Sequence, residues 1–180
     1  AGKTFEWNHA CPSDFWRYTH NFEHHTYTNV LGKDKDIGYG MLRLFPEQRW
    51  NPGFLLQPLY ALLLAILFQY GVAVQHLKFN RLLNGRMSRA DFGERLRPFL
   101  RKLGQISLRD YLIWPLLAGP HFVAVLCGNL LANLIRNLWT FVIIFCGHFT
   151  RDAEVFPQSV LQDESRAHWY LRQIRGSSNL

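Results

Sequence analysis

Three histidines fall within six residues of the stretch YTHNFEHHTYTNV (18–30), two of them adjacent. Neutral imidazole is the commonest protein metal ligand, so this spacing raises metal binding ahead of other chemistry. On a helix His20 and His24 lie four residues apart and share a face, while His25 sits about 100° round from His24. One turn then presents two ligands to one metal and a neighbouring ligand to a second. His148 is the fourth candidate: it stands in FCGHFTRD, where an apolar segment ends and charges resume, and a ligand-type side chain there is a functional candidate. His9 reads as a loop or cap residue in WNHACPSD, His121 lies inside an apolar block, and His76 and His168 lack ligand-type neighbours. All four read as structural.

Imidazoles without thiolates suit zinc, copper or iron. Glu23 directly precedes His24 and points off its face, so an all-histidine site fits better than the Glu-x-x-His pairs of soluble di-iron bundles. The three cysteines, Cys11, Cys127 and Cys146, are odd in number and far apart, which implies neither a disulfide framework nor a thiolate cluster. No further catalytic residue is expected beyond the metal ligands.

The elements that must position these histidines are apolar and helical. No Asp, Glu, Lys or Arg occurs from Asn51 to Gln75, and Tyr111 to His148 is interrupted only by Arg136. Uncharged runs of about 18 or more residues are candidates for crossing a membrane. The chain thus reads as an all-α membrane protein in five parts: a polar, histidine-rich headpiece (1–50), an apolar segment (51–77) with a helix over about 54–75, a basic loop (78–110), a transmembrane hairpin (about 111–147) and a closing polar segment (148–180). The hairpin is expected to turn near GNLLAN (128–133), with Arg136 snorkelling toward the far headgroups. The segment 54–75 either lies in or re-enters the membrane, with Pro58 and Gly71 as bends, or crosses once. KDKDIGYG (33–40) reads as a loop of alternating charge.

The net charge of +7 is concentrated, with nine Lys or Arg between Lys78 and Arg109 against Asp91 and Glu94. Beside apolar spans such a run marks a cytoplasmic loop. No nucleic-acid motif accompanies it, so nucleic acid is not an expected partner. Within it Phe92, Leu96, Phe99, Leu100 and Leu103 fall at helical spacing, which predicts an amphipathic surface helix bent at Pro98.

With these residues in view, the chain resembles the integral-membrane fatty acid desaturases, and in particular their linoleoyl-CoA desaturase-like actinobacterial branch. The His20, His24, His25 box continued as TYTN is similar to the family's second histidine box, DIGYGMLRLFPEQRW resembles that branch, and CGHFTRDAEVFP resembles the segment bearing an isolated histidine ligand. The resemblance implies a non-haem di-iron centre with His20, His24, His25 and His148 among its ligands. It also implies O₂ as co-substrate, an acyl-CoA or acyl-lipid substrate made cis-unsaturated, and membrane lipid around the protein. Electrons would come from an external cytochrome, ferredoxin or rubredoxin type donor with its reductase. The implied location is a bacterial plasma membrane, histidines on the cytoplasmic face.

The family's first and third boxes have no counterpart here. The chain also opens on Ala1, so it reads as an internal fragment that is inactive by itself. Ile144 stands where stearoyl-CoA desaturases carry an asparagine near the metal. Membrane hydroxylases and alkane monooxygenases share such boxes, and a non-catalytic lipid- or zinc-binding membrane protein is the reading from a different class.

Overall fold

The computed structural model describes residues 6–177. It is helical, with no named strand among the described residues. The helices are α1 (Ser13–Trp16, wound on as a π-helix over Arg17–His24), α2 (Gln57–Ile66), α3 (Phe68–Gln75), α4 (Phe79–Leu83), α5 (Arg89–Leu108), α6 (Phe122–Thr140) and α7 (Arg166–Gly176). They belong to two compact units. One is built from the chain up to Phe15 with Ile66–Trp139, the other from Trp16–Ala65 with the chain from Thr140 onward.

In the first unit α5 starts at Ser88, whose hydroxyl accepts from the Asp91 N–H, and it runs through Pro98 without ending. It buries Phe99, Lys102 and Ile106, a stripe at helical spacing that replaces part of the expected apolar face, since Leu100 is exposed. Helical winding continues through Arg109–Ile113 and Trp114–Leu117, so the apolar residues from Tyr111 finish the basic helix instead of starting a separate span. The chain then turns at Ala118–His121, not at 128–133 as expected. Gly119 takes the left-handed φ of 54° and Pro120 follows it, a pair that no helix continues through.

The residues GNLLAN stay helical inside α6 because their asparagines bond to neighbouring elements instead of competing for their own backbone. Asn129 donates to the Asp110 carbonyl (2.5 Å), and Asn133 donates to the Tyr111 hydroxyl (2.7 Å). Arg136, expected to snorkel outward, donates instead to Asn133 Oδ1 (2.7 Å). Asn129, Asn133 and Asn137 recur every four residues and mark the polar face of α6, while Leu130, Leu134, Ile135 and Leu138 are exposed. The continuous helix Gly119–Cys146 is the one among the described residues long and apolar enough to cross a membrane. Only 6% of its most apolar stretch is buried.

The run 54–75 is not one helix. It breaks at Leu67 (φ −116°, ψ 30°), neither at Pro58, which sits at the second position of α2 where no N–H is needed, nor at Gly71, which lies within α3. The freed N–H of Gln69 is taken up by Asn137 Oδ1 (3.1 Å), both residues being buried. Replacing Asn137 by Leu leaves that donor unsatisfied and is expected to cost about 1–3 kcal/mol. A fall in the unfolding midpoint of the detergent-solubilised chain checks this, and an unchanged midpoint contradicts it.

His9 also belongs to the first unit, where its Nδ1 accepts from the Cys11 N–H (3.0 Å). Burial, then the charges of Arg136 and Lys102, push its ring down to about 4. A ring depressed in the folded chain contributes stability that is complete above its unfolded value, near 6.5, and is lost as the pH falls toward about 4. His9→Gln is therefore expected to flatten the acid side of the stability profile across that window, read as the unfolding midpoint against pH.

Candidate metal centre

The sequence-selected histidines lie in the second unit, and helix winding decides how they face. Over Arg17–His24 the backbone is a π-helix, whose i→i+5 hydrogen bonds put more than four residues in each turn. Ring centroids are 5.1 Å apart for His20 and His24, 5.0 Å for His20 and His25, and 5.3 Å for His24 and His25. His25 therefore joins the other two instead of facing off to one side as ideal α geometry predicts. A second π-helical stretch, Phe141–Cys146, delivers His148, whose ring is 5.2 Å from His24 and 6.2 Å from His20.

Two carboxylates stand behind this cluster. His20 Nδ1 is 2.9 Å from Asp36 Oδ2, and His24 Nδ1 is 3.0 Å from both oxygens of Asp34. An ionised carboxylate only accepts, so each Nδ1 carries a proton, and Nε2 is the nitrogen of each ring that a metal would take, in place of any proton there. Carboxylates behind metal-binding histidines fix tautomer and ring orientation and raise ligand basicity. Asp34 also accepts from the Asn29 and Asp36 backbone N–H groups, each at 2.9 Å. Lys35, between the two acids, pairs with Glu23. The KDKD segment thus turns both carboxylates in toward the histidines. His20, His24 and Asp36 present ligand-type atoms within 4.8 Å of one another, and the 2.9 Å hydrogen bond sets Asp36 behind His20.

Burial disfavours charge on His24, but the Asp34 hydrogen bond and the charges of Asp34 and Asp36 outweigh it and raise the ring above its ordinary value. Burial, then the neighbouring histidines, lowers His25; burial, then His24, lowers His148 despite a hydrogen bond to the Ile144 backbone. Those two rings are neutral and ligand-competent at pH 7. Burial pushes the Tyr39 phenol well above its usual range, helped by Asp36 and Asp34, so it stays protonated beside the acids. A cavity of about 220 Å³ opens beside His24, His25 and His148, and Thr28, Asn29 and Gln173 contribute to its polar lining.

Of the other histidines, His76 in the first unit is buried and stacked on Phe15, while His121 and His168 are exposed. Sequence reading missed Asp34 and Asp36. The available signal was an Asp-x-Asp pair ten residues after His24 and sixteen after His20, hidden by the two lysines that make the segment look like a solvated loop.

In this helical chain four imidazoles converge, two of them backed by buried carboxylates, a set of side chains that could hold a metal ion. The match to the fatty acid desaturase family runs over residues 6–180, and the chain belongs to that family. It is 44% identical to the NADPH-dependent stearoyl-CoA 9-desaturase of Mycobacterium tuberculosis over 180 residues, 98% of this chain and 42% of the relative. It is 28% identical to the sn-1 linoleoyl-lipid 6-desaturase of Synechocystis sp. (93% and 47% covered) and 24% identical to that of Arthrospira platensis (91% and 45%). The chain spans less than half the length of these curated relatives. No solved structure matches it significantly.

Asp34→Asn keeps the shape of the side chain but removes the charge that holds the His24 ring. Metal affinity is expected to fall about 10- to 100-fold. Competition against a chromophoric chelator measures this, and an unchanged affinity contradicts it.

Proposed function

We propose that this chain carries part of the centre of an O₂-dependent di-iron fatty acyl desaturase that makes a cis double bond in an acyl-CoA or acyl-lipid chain at the cytoplasmic face of a bacterial plasma membrane. The observation that supports the reading is the convergence of His20, His24, His25 and His148, with Asp36 and Asp34 behind the first two, in a chain of the desaturase family. Imidazoles with outer carboxylates and no thiolate suit iron. Those four rings would hold it, His20 and His24 through Nε2.

Bound iron supplies the oxygen activation and hydrogen abstraction that no side chain here provides. The balance is RCH₂CH₂R′ + O₂ + 2e⁻ + 2H⁺ → RCH=CHR′ + 2H₂O, with the electrons from a cytochrome, ferredoxin or rubredoxin type donor. An alkyl C–H offers no charge to grip, so the task of this chain's residues is orientation. Asp34 and Asp36 keep the Nδ1 protons in place, and the polar cavity beside His24 and His148 gives the product waters room to leave.

The helix Gly119–Cys146, about 42 Å long at 1.5 Å per residue, exceeds the roughly 30 Å hydrocarbon core, and its apolar faces suit lipid. The helices α2 and α3, of 10 and 8 residues, are each too short to cross and fit an interfacial or re-entrant segment. The nine Lys and Arg between Lys78 and Arg109 support a cytoplasmic position for that segment.

Four imidazoles are fewer than the resemblance implies for two irons. Expressed by itself, the 180-residue chain is therefore expected to hold less than two irons and to leave acyl-CoA unchanged. In a chimaera replacing the matching segment of the mycobacterial relative, two irons and an unsaturated product are expected, both lost with His24→Ala. Hydroxylated product would move the reading to oxygen insertion. Zinc in place of iron, with His24→Ala affecting stability alone, would overturn it.

A further inference from the structure

The turn leaving the histidine helix is held by residues about 145 positions further along the chain, all within the second unit. Arg172 of α7 is 3% exposed. Its guanidinium forks onto Glu164, Nε to Oε1 at 2.7 Å and Nη2 to Oε2 at 3.0 Å. The same group donates to the Thr26 carbonyl (3.1 Å) and the Thr28 carbonyl (3.4 Å). These carbonyls follow the end of α1, where backbone acceptors lose their helical partners and a cation is favoured. Trp169 Nε1 also donates to the Thr26 carbonyl (3.1 Å), and the Thr28 hydroxyl donates to Gln173 Oε1 (2.8 Å).

The next residue, Asn29, is left-handed (φ 56°), and its side-chain amide donates to the carbonyls of Gly176 (2.8 Å) and Glu154 (3.0 Å). Its backbone N–H donates to Asp34 Oδ2, and Asp34 holds His24 Nδ1. A Cβ at Gly176 would sit 3.4 Å from the Phe156 ring and 3.6 Å from the Thr28 carbonyl, so α7 lies close against the turn. A continuous path of bonds runs from Arg172 through Thr26–Asn29 to Asp34 and His24.

From this path we infer that Arg172 is a positioning residue for the histidine centre, an inference that rests on the metal-site reading above and extends it to α7. Covering two carbonyls does not require a buried cation. A planar guanidinium locked by Glu164 fixes their geometry, which a lysine ammonium does not. Fixing the carbonyls fixes the Asn29 amide, and with it the Asp34 carboxylate that aims the ring.

The test compares the wild-type chain with Arg172→Gln, Arg172→Lys and, as control, Arg166→Gln, an exposed cation on the same helix. Amide hydrogen exchange over residues 24–36 is measured without metal. Cobalt(II) affinity and its visible ligand-field spectrum are measured on the same samples. Arg172→Gln is expected to speed exchange at Asn29 at least tenfold, to weaken cobalt about 10- to 100-fold and to shift the spectrum. Arg172→Lys falls between and carries the test if the Gln variant does not fold, while Arg166→Gln matches wild type. Faster exchange with cobalt affinity and spectrum unchanged would overturn the positioning role, and unchanged exchange would overturn the clamp itself. If wild type takes up no cobalt, the metal-site reading fails, and the exchange data alone decide whether the clamp stands.

Discussion

The structure around the histidines depends on one buried carboxylate. Asp34 accepts from the Asn29 N–H, the Asp36 N–H and the His24 ring. A buried carboxylate lacking such donors is expensive, so the turn 29–36 folds around it instead of merely linking two helices. The left-handed Asn29 is part of that geometry, since it aims the backbone N–H at Asp34 while its side chain ties the turn to the end of α7. The orientation of the His24 ring and the fold of the turn 29–36 are therefore one constraint. Evolution of the site cannot change one freely without the other.

The ligand types were legible in the sequence because histidine spacing is a local property and a helix converts it directly into a shared face. The position of His25 was not, because it depends on π-winding, which no residue in RYTHNFEH signals. Asp34 and Asp36 were hidden for a different reason: interleaved with lysines, they look like solvated charge, and their role exists only across a chain reversal. The same distinction separates the helix breaks. Gly119-Pro120 carries its own stop signal, whereas GNLLAN reads as a turn in the sequence but stays helical because its asparagines find partners on the extension of α5, at Asp110 and Tyr111. The break at Leu67 carries no signal, because its freed N–H is satisfied by Asn137, a residue 68 positions away.

Helix α6 reverses the usual arrangement of a soluble helix. Asn137 is its one fully buried side chain among the described residues, and leucines and isoleucines face outward. In hydrocarbon this inversion is reasonable, because polar groups must find partners inside the protein while apolar ones meet lipid at no cost. The asparagine ladder and the carboxylate-backed histidines thus follow one rule: the polar groups each buries are paired with a specific partner, and the pairing sets the geometry.

The central claim is that His20, His24, His25 and His148 share one metal centre. X-ray absorption at the iron edge of the iron-loaded chain tests it most directly. The account predicts nitrogen ligands with the multiple scattering of several imidazoles, no sulfur, and the loss of one imidazole's contribution in His148→Ala. A shell dominated by oxygen or sulfur, or a spectrum indifferent to His148→Ala, would contradict it.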